Sequence, residues 1–337
     1  MKKLLYIYPN PSTFVDNDIE GLSNHMEVDR YCFKMGKITV PYQLVRQFLH
    51  LLLRGQKYDA FLIMFGGYHS LLPTLYSKLF RKKSYIILGG TDCNHFPTIP
   101  YGYHGNPVHS LFIKYSAMMT NKLFPVSEEL IEQDYAYLEE EKGKKGLITK
   151  VPNLDRSKVE VVHNGVSDTF RLLPDVKRTP LSYVSICSGF HNPRRRVVKG
   201  VDLFIKLAEK FPERTFGIIG GDVDRLDITV PKNVMLHGAQ QTEEIVEVLN
   251  TYEFYCQLSV TEGFGIALLE AMQCGCTPIV SDVGIMPTIV GKSGYVLGSK
   301  SLEIAVELIS TAKPIQTSRH SDYSSKKRID MLIQHMR

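Results

Sequence analysis

Short apolar runs rich in β-branched and aromatic residues recur at 3–8, 60–65, 84–88, 122–126 and 159–162, separated by stretches with helical spacing. A second series follows at 182–187, 215–219, 234–237, 254–260 and 277–281, alternating with helical patterns near 201–210, 242–250, 265–274 and 301–311. Runs that are apolar at nearly every position predict strands buried on both faces, and their alternation with helices predicts parallel sheets covered on both sides. The pattern thus predicts an α/β chain of two Rossmann-like, doubly wound units in tandem. Between 171 and 180, Pro174, Asp175 and Pro180 interrupt both periodicities. This sets a first unit at 1–170 and a second at 171–315, leaving 316–337. Met331, Leu332 and Ile333 give that last stretch helical spacing, and it is expected to pack back across the first unit. In open parallel sheets, ligands bind beyond the carboxyl ends of the strands, so a cleft between the two units is the expected site.

The chain has 337 residues, 44% hydrophobic and 22% charged, which suits two cores and excludes disordered, collagenous or disulfide-stapled classes. No apolar stretch reaches the roughly 20 residues needed to span a bilayer, and the opening Met1 to Asn10 reads as a first strand rather than a leader. The expected compartment is the cytoplasm. The six cysteines, at 32, 93, 187, 256, 274 and 276, form no Cys-x-x-Cys pair, so reduced, buried thiols are expected. Residues 139–150 form a charge run with two glycines, expected to be a solvated loop.

Net charge is +5 overall, but residues 1–125 carry +7 and the remainder −2, so the first unit is expected to face something anionic. In 42–54, Leu44, Val45, Phe48, Leu51 and Leu52 share one helical face, and Arg46, Gln47, His50 and Arg54 lie opposite. The apolar face is expected to cover the sheet. With the basic run Phe80 to Lys83, peripheral contact with an anionic membrane surface is a further expectation. No nucleic-acid recognition motif accompanies the charge.

Three stretches carry chemistry. In the first, a strand ends near Val260, Glu262-Gly263-Phe264-Gly265 forms a loop, and a helix rich in Ala and Leu carries Glu270. Glycines let a backbone approach a ligand, and the first amides of a helix favour an anion. Two carboxylates eight positions apart can grip two ends of a hydroxyl-rich ligand. In the second, a strand ends at Ser188-Gly189 and is followed by Arg194, Arg195, Arg196 and Lys199, a cationic cluster suited to a pyrophosphate. In the third, a strand turns at Asn164-Gly165. Asp92 and His95 follow the fourth strand of the first unit and are candidates for its catalytic face, while Gly66 to Ser70 offer polar groups for an acceptor. Asp222 and Asp224 invite a metal reading but sit in a turn, and a solvated loop is the expectation.

Taken in order, these stretches resemble the GT-B glycosyltransferases, in particular the retaining type called GT4. The Asn164-Gly165-Val166 turn, the Lys199-Gly200-Val201-Asp202 helix start and the Glu262-x7-Glu270 pair carry the resemblance over roughly 120–290. It implies a GT-B fold whose two domains face a central cleft, with a C-terminal helix crossing back. It further implies that Glu270 holds the ribose of a nucleotide sugar and Lys199 its diphosphate, while Glu262 and the amides of Phe264 and Gly265 meet the sugar. Asn164, Gly189, Gly263, Arg195 and Arg196 complete the donor set.

Two departures stand out. Phe190 occupies the place where such proteins usually carry Arg, so one of Arg194, Arg195 and Arg196 is expected to supply the guanidinium, with Arg194 favoured because Pro193 stiffens its loop. The usual early Gly-Gly loop is replaced by the stretch from Pro9 to Gly21. The implied activity is metal-independent transfer of a sugar, with retention, from a UDP- or GDP-linked donor to a hydroxyl of a saccharide or lipid-linked saccharide. No cofactor beyond that co-substrate is implied. The alternatives are a nucleotide-sugar epimerase of the same fold and a non-catalytic nucleotide-sugar-binding module.

Overall fold

The structure is a computed structural model that describes residues 3–36, 38–99, 101–316 and 321–337. The chain divides into two compact units, one comprising Met1–Gln133, Lys144–Gly165 and Ser325–Arg337, the other Asp134–Gly143 and Val166–Ser324. The short segment 134–143, expected in the first unit, therefore belongs with the second.

The first unit alternates β1 (Lys3–Tyr8), α1 (Thr13–Ser23), β2 (Glu27–Cys32), α2 (Thr39–Arg54), β3 (Ala60–Met64), α3 (Tyr68–Leu79), β4 (Lys83–Leu88), α4 (Pro107–Met119) and β5 (Lys122–Pro125). Its sheet has the order β2-β1-β3-β4-β5, with every pair parallel. Strand β3 is buried along its whole length, as the apolar run requires. The sequence pattern missed β2 because, as an edge strand, it buries only Tyr31 and carries Glu27, Asp29 and Arg30. The run at 159–162 is not a sixth strand but an extended segment beside β5, where Glu160 N donates to Leu123 O at 2.9 Å and Val162 N to Pro125 O at 3.0 Å.

Strands β6 (Gln133–Tyr135) and β7 (Gly143–Lys145) form a separate two-stranded pair. The charged run expected to be a solvated loop thus contains a strand, and Glu141 and Leu147 within it are buried.

The second unit begins with β8 (Thr179–Ile186), followed by α5 (Pro193–Val198), α6 (Val201–Lys210), β9 (Thr215–Ile219), β10 (Val234–Gly238) and α7 (Thr242–Thr251). It continues with β11 (Tyr252–Gln257), α8 (Ile266–Gln273), β12 (Thr277–Ser281), α9 (Met286–Val290), β13 (Tyr295–Leu297) and α10 (Leu302–Thr311). The sheet order β10-β9-β8-β11-β12-β13 is parallel throughout. The chain winds outward from β8 to β10, then returns to the other side of β8 and winds outward again. The carboxyl ends of β8 and β11 therefore flank a topological switch point, where such sheets open for a ligand. Tyr183, at the centre of this core, lies between Phe216 and Phe254, with ring centroids 5.2 and 4.8 Å away.

The last helix, α11 (Ser325–Met336), belongs to the first unit. Arg328 is fully buried there and grips Asp18 of α1 through two bonds of 2.6 and 2.8 Å, while Tyr6 donates to the same carboxylate at 3.0 Å. A bidentate, fully satisfied pair is the geometry in which a buried charge is tolerated.

Helix α2 is rotated from the orientation expected of it: Leu51 stays inside and Arg46 and Arg54 outside, but two glutamines replace the other apolar residues inside. Its buried positions are Gln43, Gln47 and Leu51, and Gln47 Nε2 donates to the His69 carbonyl at 2.9 Å. Val45, Phe48 and Leu52 point outward, with exposures of 59%, 53% and 61%. Among the described residues, no helix is long and apolar enough to cross a membrane.

Candidate active site

The loops leaving β8 and β11 build the site in the second unit. Gly200 ends α5 in the left-handed region (φ +68°), and a Cβ there would meet the Leu258 carbonyl oxygen at 1.8 Å. Only glycine allows the turn between α5 and α6 to press against the end of β11. That contact brings Lys199 to Glu262: the ammonium donates to Glu262 Oε2 at 2.7 Å. The same oxygen accepts from Gln257 Nε2 at 2.8 Å and Ser259 Oγ at 3.3 Å. Among the described residues Oε1 has no partner, so one oxygen of this fixed carboxylate is left for another donor.

Gly265 takes φ +91° at the start of α8, turning the loop so that the helix begins immediately after it with its first amides outside the intrahelical ladder. Glu262 therefore lies in the loop, as expected, and Glu270 on the helix. Gly263 and Phe264 are buried, and the Phe264 ring meets Tyr323 edge-on at 5.5 Å.

Glu270 is on α8 and only part-exposed. Burial pushes its carboxyl up to about 7, and no cation offsets that shift. The fields of Glu270 and Glu262 both add to the burial that raises the Tyr255 phenol, so both acids act on one side chain. The phenol donates to Gln257 Oε1 at 3.0 Å, which aims the amide nitrogen at Glu262. Gln257 and Tyr255 were not singled out in the sequence. The available signal was a glutamine at the last position of a largely buried strand.

The structure sorts the three arginines. Arg196 is buried, pairs with Asp227 at 2.7 Å and donates to the carbonyls of Phe190 and His191, each at 3.1 Å. It fixes its own loop, with its guanidinium already bonded within the protein. Arg195 is exposed and reaches Ser188 O at 3.3 Å, beside Gly189. Arg194 is exposed on the first turn of α5, and no partner of its guanidinium is found among the described residues. The Cys187 thiol, raised to about 11 chiefly by burial, also feels Lys199, Arg195 and Glu262, which places the cationic loop and the acid in one field. Phe190 is wholly buried and offers nothing to a ligand. The Asp222 carboxylate caps the Asp224 amide at 3.2 Å.

In the first unit, Asp92 is fully buried. Its carboxylate accepts from the amides of Gly66 at 2.8 Å, Gly89 at 3.1 Å and Gly90 at 2.9 Å. Burial raises its carboxyl while these amides oppose the rise. It ties together the loops after β3 and β4 from inside the unit. His95 is part-exposed and bonded through Nδ1 to Tyr101 O at 3.3 Å. Asn164 is also in the first unit, and its buried Oδ1 has no hydrogen-bond partner among the described residues. The adjoining carbonyls of Val162 and His163 are held by Arg328 Nη1, each at 3.2 Å.

Two parallel, doubly wound units, the second with a cationic loop, a fixed acid and a helix start at its switch point, define the GT-B class. Solved structures agree. The chain matches sucrose-phosphate synthase from Thermosynechococcus elongatus with a TM-score of 0.68 and 13% identity, over 100% of this chain and 94% of that one. It matches UDP-GlcNAc 2-epimerase from Methanocaldococcus jannaschii, in complex with UDP-GlcNAc and UDP, with a TM-score of 0.57 and 12% identity, over 99% and 100%.

Residues 191–335 match the family model of the glycosyl transferases group 1. D-inositol 3-phosphate glycosyltransferase from Mycolicibacterium smegmatis is 26% identical over 202 residues, covering 52% of this chain and 45% of that protein. The chain thus spans less than half the length of that relative.

Proposed function

We propose that this protein transfers a glycosyl group from a nucleotide-sugar donor to an acceptor hydroxyl, with retention of configuration and without a metal ion. The observation that carries the reading is the cluster at the second switch point. A lysine is fixed on Glu262 at 2.7 Å, Arg194 and Arg195 are nearby on α5, and Glu270 is a carboxylate without an offsetting cation. In this reading Glu270 accepts from the ribose hydroxyls, the free Glu262 oxygen accepts from a sugar hydroxyl, and Lys199 with Arg194 or Arg195 faces the diphosphate.

The bond between the anomeric carbon and the β-phosphate oxygen breaks, its electron pair leaving on the diphosphate. The acceptor oxygen bonds to the same face of the carbon, and its proton passes to the departing phosphate. Fixed cations and helix-terminal amides where that phosphate gains charge act as an electrostatic acid, each typically worth ~3 kcal/mol in the transition state.

The match to the group 1 family model favours transfer over epimerisation, since likeness to the epimerase is at the level of fold. Thermal-shift titration with UDP-, GDP- and ADP-sugars tests donor binding: a true donor at 100 times its dissociation constant stabilises by ~2.7 kcal/mol. Donor consumption without any acceptor would favour the epimerase instead.

We further infer that the first unit works at an anionic membrane surface. Helices α2, α3 and α4 contain no acidic residue. Between residues 34 and 121 the chain has ten Lys and Arg against Asp59 and Asp92 alone. Exposed Phe48, Leu52, Leu79, Leu111 and Tyr115 lie on these helices. Apolar and basic side chains together suit anionic lipid. Co-sedimentation with vesicles containing phosphatidylserine, and its loss in Phe48→Ser/Leu52→Ser, is the expected outcome. Equal binding of the variant would remove this reading.

A further inference from the structure

The first turns of α2 and α4 meet the start of α3 at a cavity of about 570 Å³, lined among others by Val40, Leu44, Tyr68, Val108, His109 and Phe112. That is within the ~300–1,000 Å³ typical of small-molecule sites. The lining comes from the loop after β2, the helix start after β3 and the N-terminus of α4, all at the carboxyl edge of the first sheet, where ligands of parallel sheets bind.

The chemistry of the wall selects the ligand. The His109 ring is buried and stacked between Tyr68 and Tyr103, with centroids 4.1 and 4.3 Å away, and its Nε2 has no hydrogen-bond partner among the described residues. Burial holds its pKa down at about 4, so it brings no charge into the cavity at neutral pH. The remaining polar side-chain groups of the lining are Asn106 and the Tyr68 hydroxyl. No carboxylate is found in the lining among the described residues, so a sugar seated there would leave most of its hydroxyls unpaired, at roughly 1–3 kcal/mol each. A hydrocarbon chain carries no such cost and gains by leaving water. Lys34, Arg46 and Lys114 stand close to lining positions in sequence, and α2, α3 and α4 carry no acidic residue, so the charge of these elements favours an anionic head.

We propose that this cavity seats a hydrocarbon chain of the acceptor, and that the acceptor is a lipid with a phosphate-bearing head rather than a free saccharide. The inference rests on the glycosyltransferase reading and specifies its second substrate.

The test uses the full chain and dodecyl phosphate below its critical micelle concentration, with titration calorimetry and no donor present. Val108 is 55% exposed, so Val108→Trp narrows the cavity without disturbing the core. Ile304→Ser changes exposed apolar surface on α10 of the other unit, away from the cavity. The expected result is saturable 1:1 binding to the wild type and to Ile304→Ser, weakened at least about tenfold in Val108→Trp, with no binding of inorganic phosphate at the same concentration.

Equal binding by Val108→Trp, no saturable binding by the wild type, or inorganic phosphate binding as well as the amphiphile would each overturn the proposal. So would a wild-type dimer that Val108→Trp dissociates, which would assign the cavity to a second copy. Donor-induced thermal shifts in the same variants report separately on the glycosyltransferase reading, because the donor groups lie in the other unit.

Discussion

Replacing Glu270 by Gln should stabilise the protein at alkaline pH while weakening donor binding. Burial raises the Glu270 carboxyl from 4.5 to about 7, so the folded protein holds its proton more tightly than the unfolded chain does. Between pH 4.5 and about 7 the folded state binds the extra proton, and stability falls as pH rises through that window. Above it the full cost of an ionised, desolvated carboxylate is present, about 3 kcal/mol for this shift. Glutamine keeps the shape and removes the charge. Thermal and urea unfolding of the second unit at pH 4.5, 6, 7 and 8 should show Glu270→Gln and wild type alike at pH 4.5. At pH 8 the variant should be more stable by up to about 3 kcal/mol, or ~6–12 °C in Tm. Donor nucleotide should stabilise the wild type more at pH 8 than at pH 6, and the variant weakly at both. A variant with the wild-type pH slope, or one less stable at pH 8, would mean that the carboxylate already has a partner and would refute the argument.

The first unit should respond to acid with the opposite sign. His69, His104 and His109 are buried and held down at about 4, so their contribution is complete above pH 6.5 and is lost as pH falls toward 4, by up to ~3 kcal/mol each. The protection of β3 and β4 amides against hydrogen exchange, relative to the intrinsic rate at each pH, should fall over that range, and constant protection would count against it. Lys199→Ala should lower kcat by about 10²–10³ in a transfer assay with far less change in Tm, whereas an effect confined to KM would move Lys199 from the departing phosphate to simple binding. Arg328→Met leaves Asp18 charged and buried, and should destabilise the first unit by about 3–5 kcal/mol in urea unfolding. Adding Asp18→Asn should recover much of that loss.

Most of the strands and helices of the fold were legible in the chain, because a parallel sheet buries its strands on both faces and leaves long apolar runs. β2 escaped because an edge strand has one free side and keeps its charges. That Lys199 and Glu262 stand beside turns was legible because glycines follow them, and Gly200 and Gly265 are needed for backbone turns that the sequence advertises. Gln257 was not, since its part depends on the direction Tyr255 gives its amide across the end of the strand.

The sequence alone determined which residues share a face, where the chain must turn, and which stretches carry charge. Only the tertiary structure decided which face points inward. Helical periodicity in α2 separates an apolar stripe from a polar one but is unchanged when the helix is rotated by half a turn. Gln47 is drawn inside by the carbonyl of His69, and that carbonyl is far away in the chain. The arginines obey the same logic: three adjacent guanidiniums are equivalent as letters, and Arg196 becomes structural because Asp227 and two carbonyls surround it. Composition sets the inventory of donors, acceptors and apolar surface, and long-range packing decides which of them are already spent within the protein.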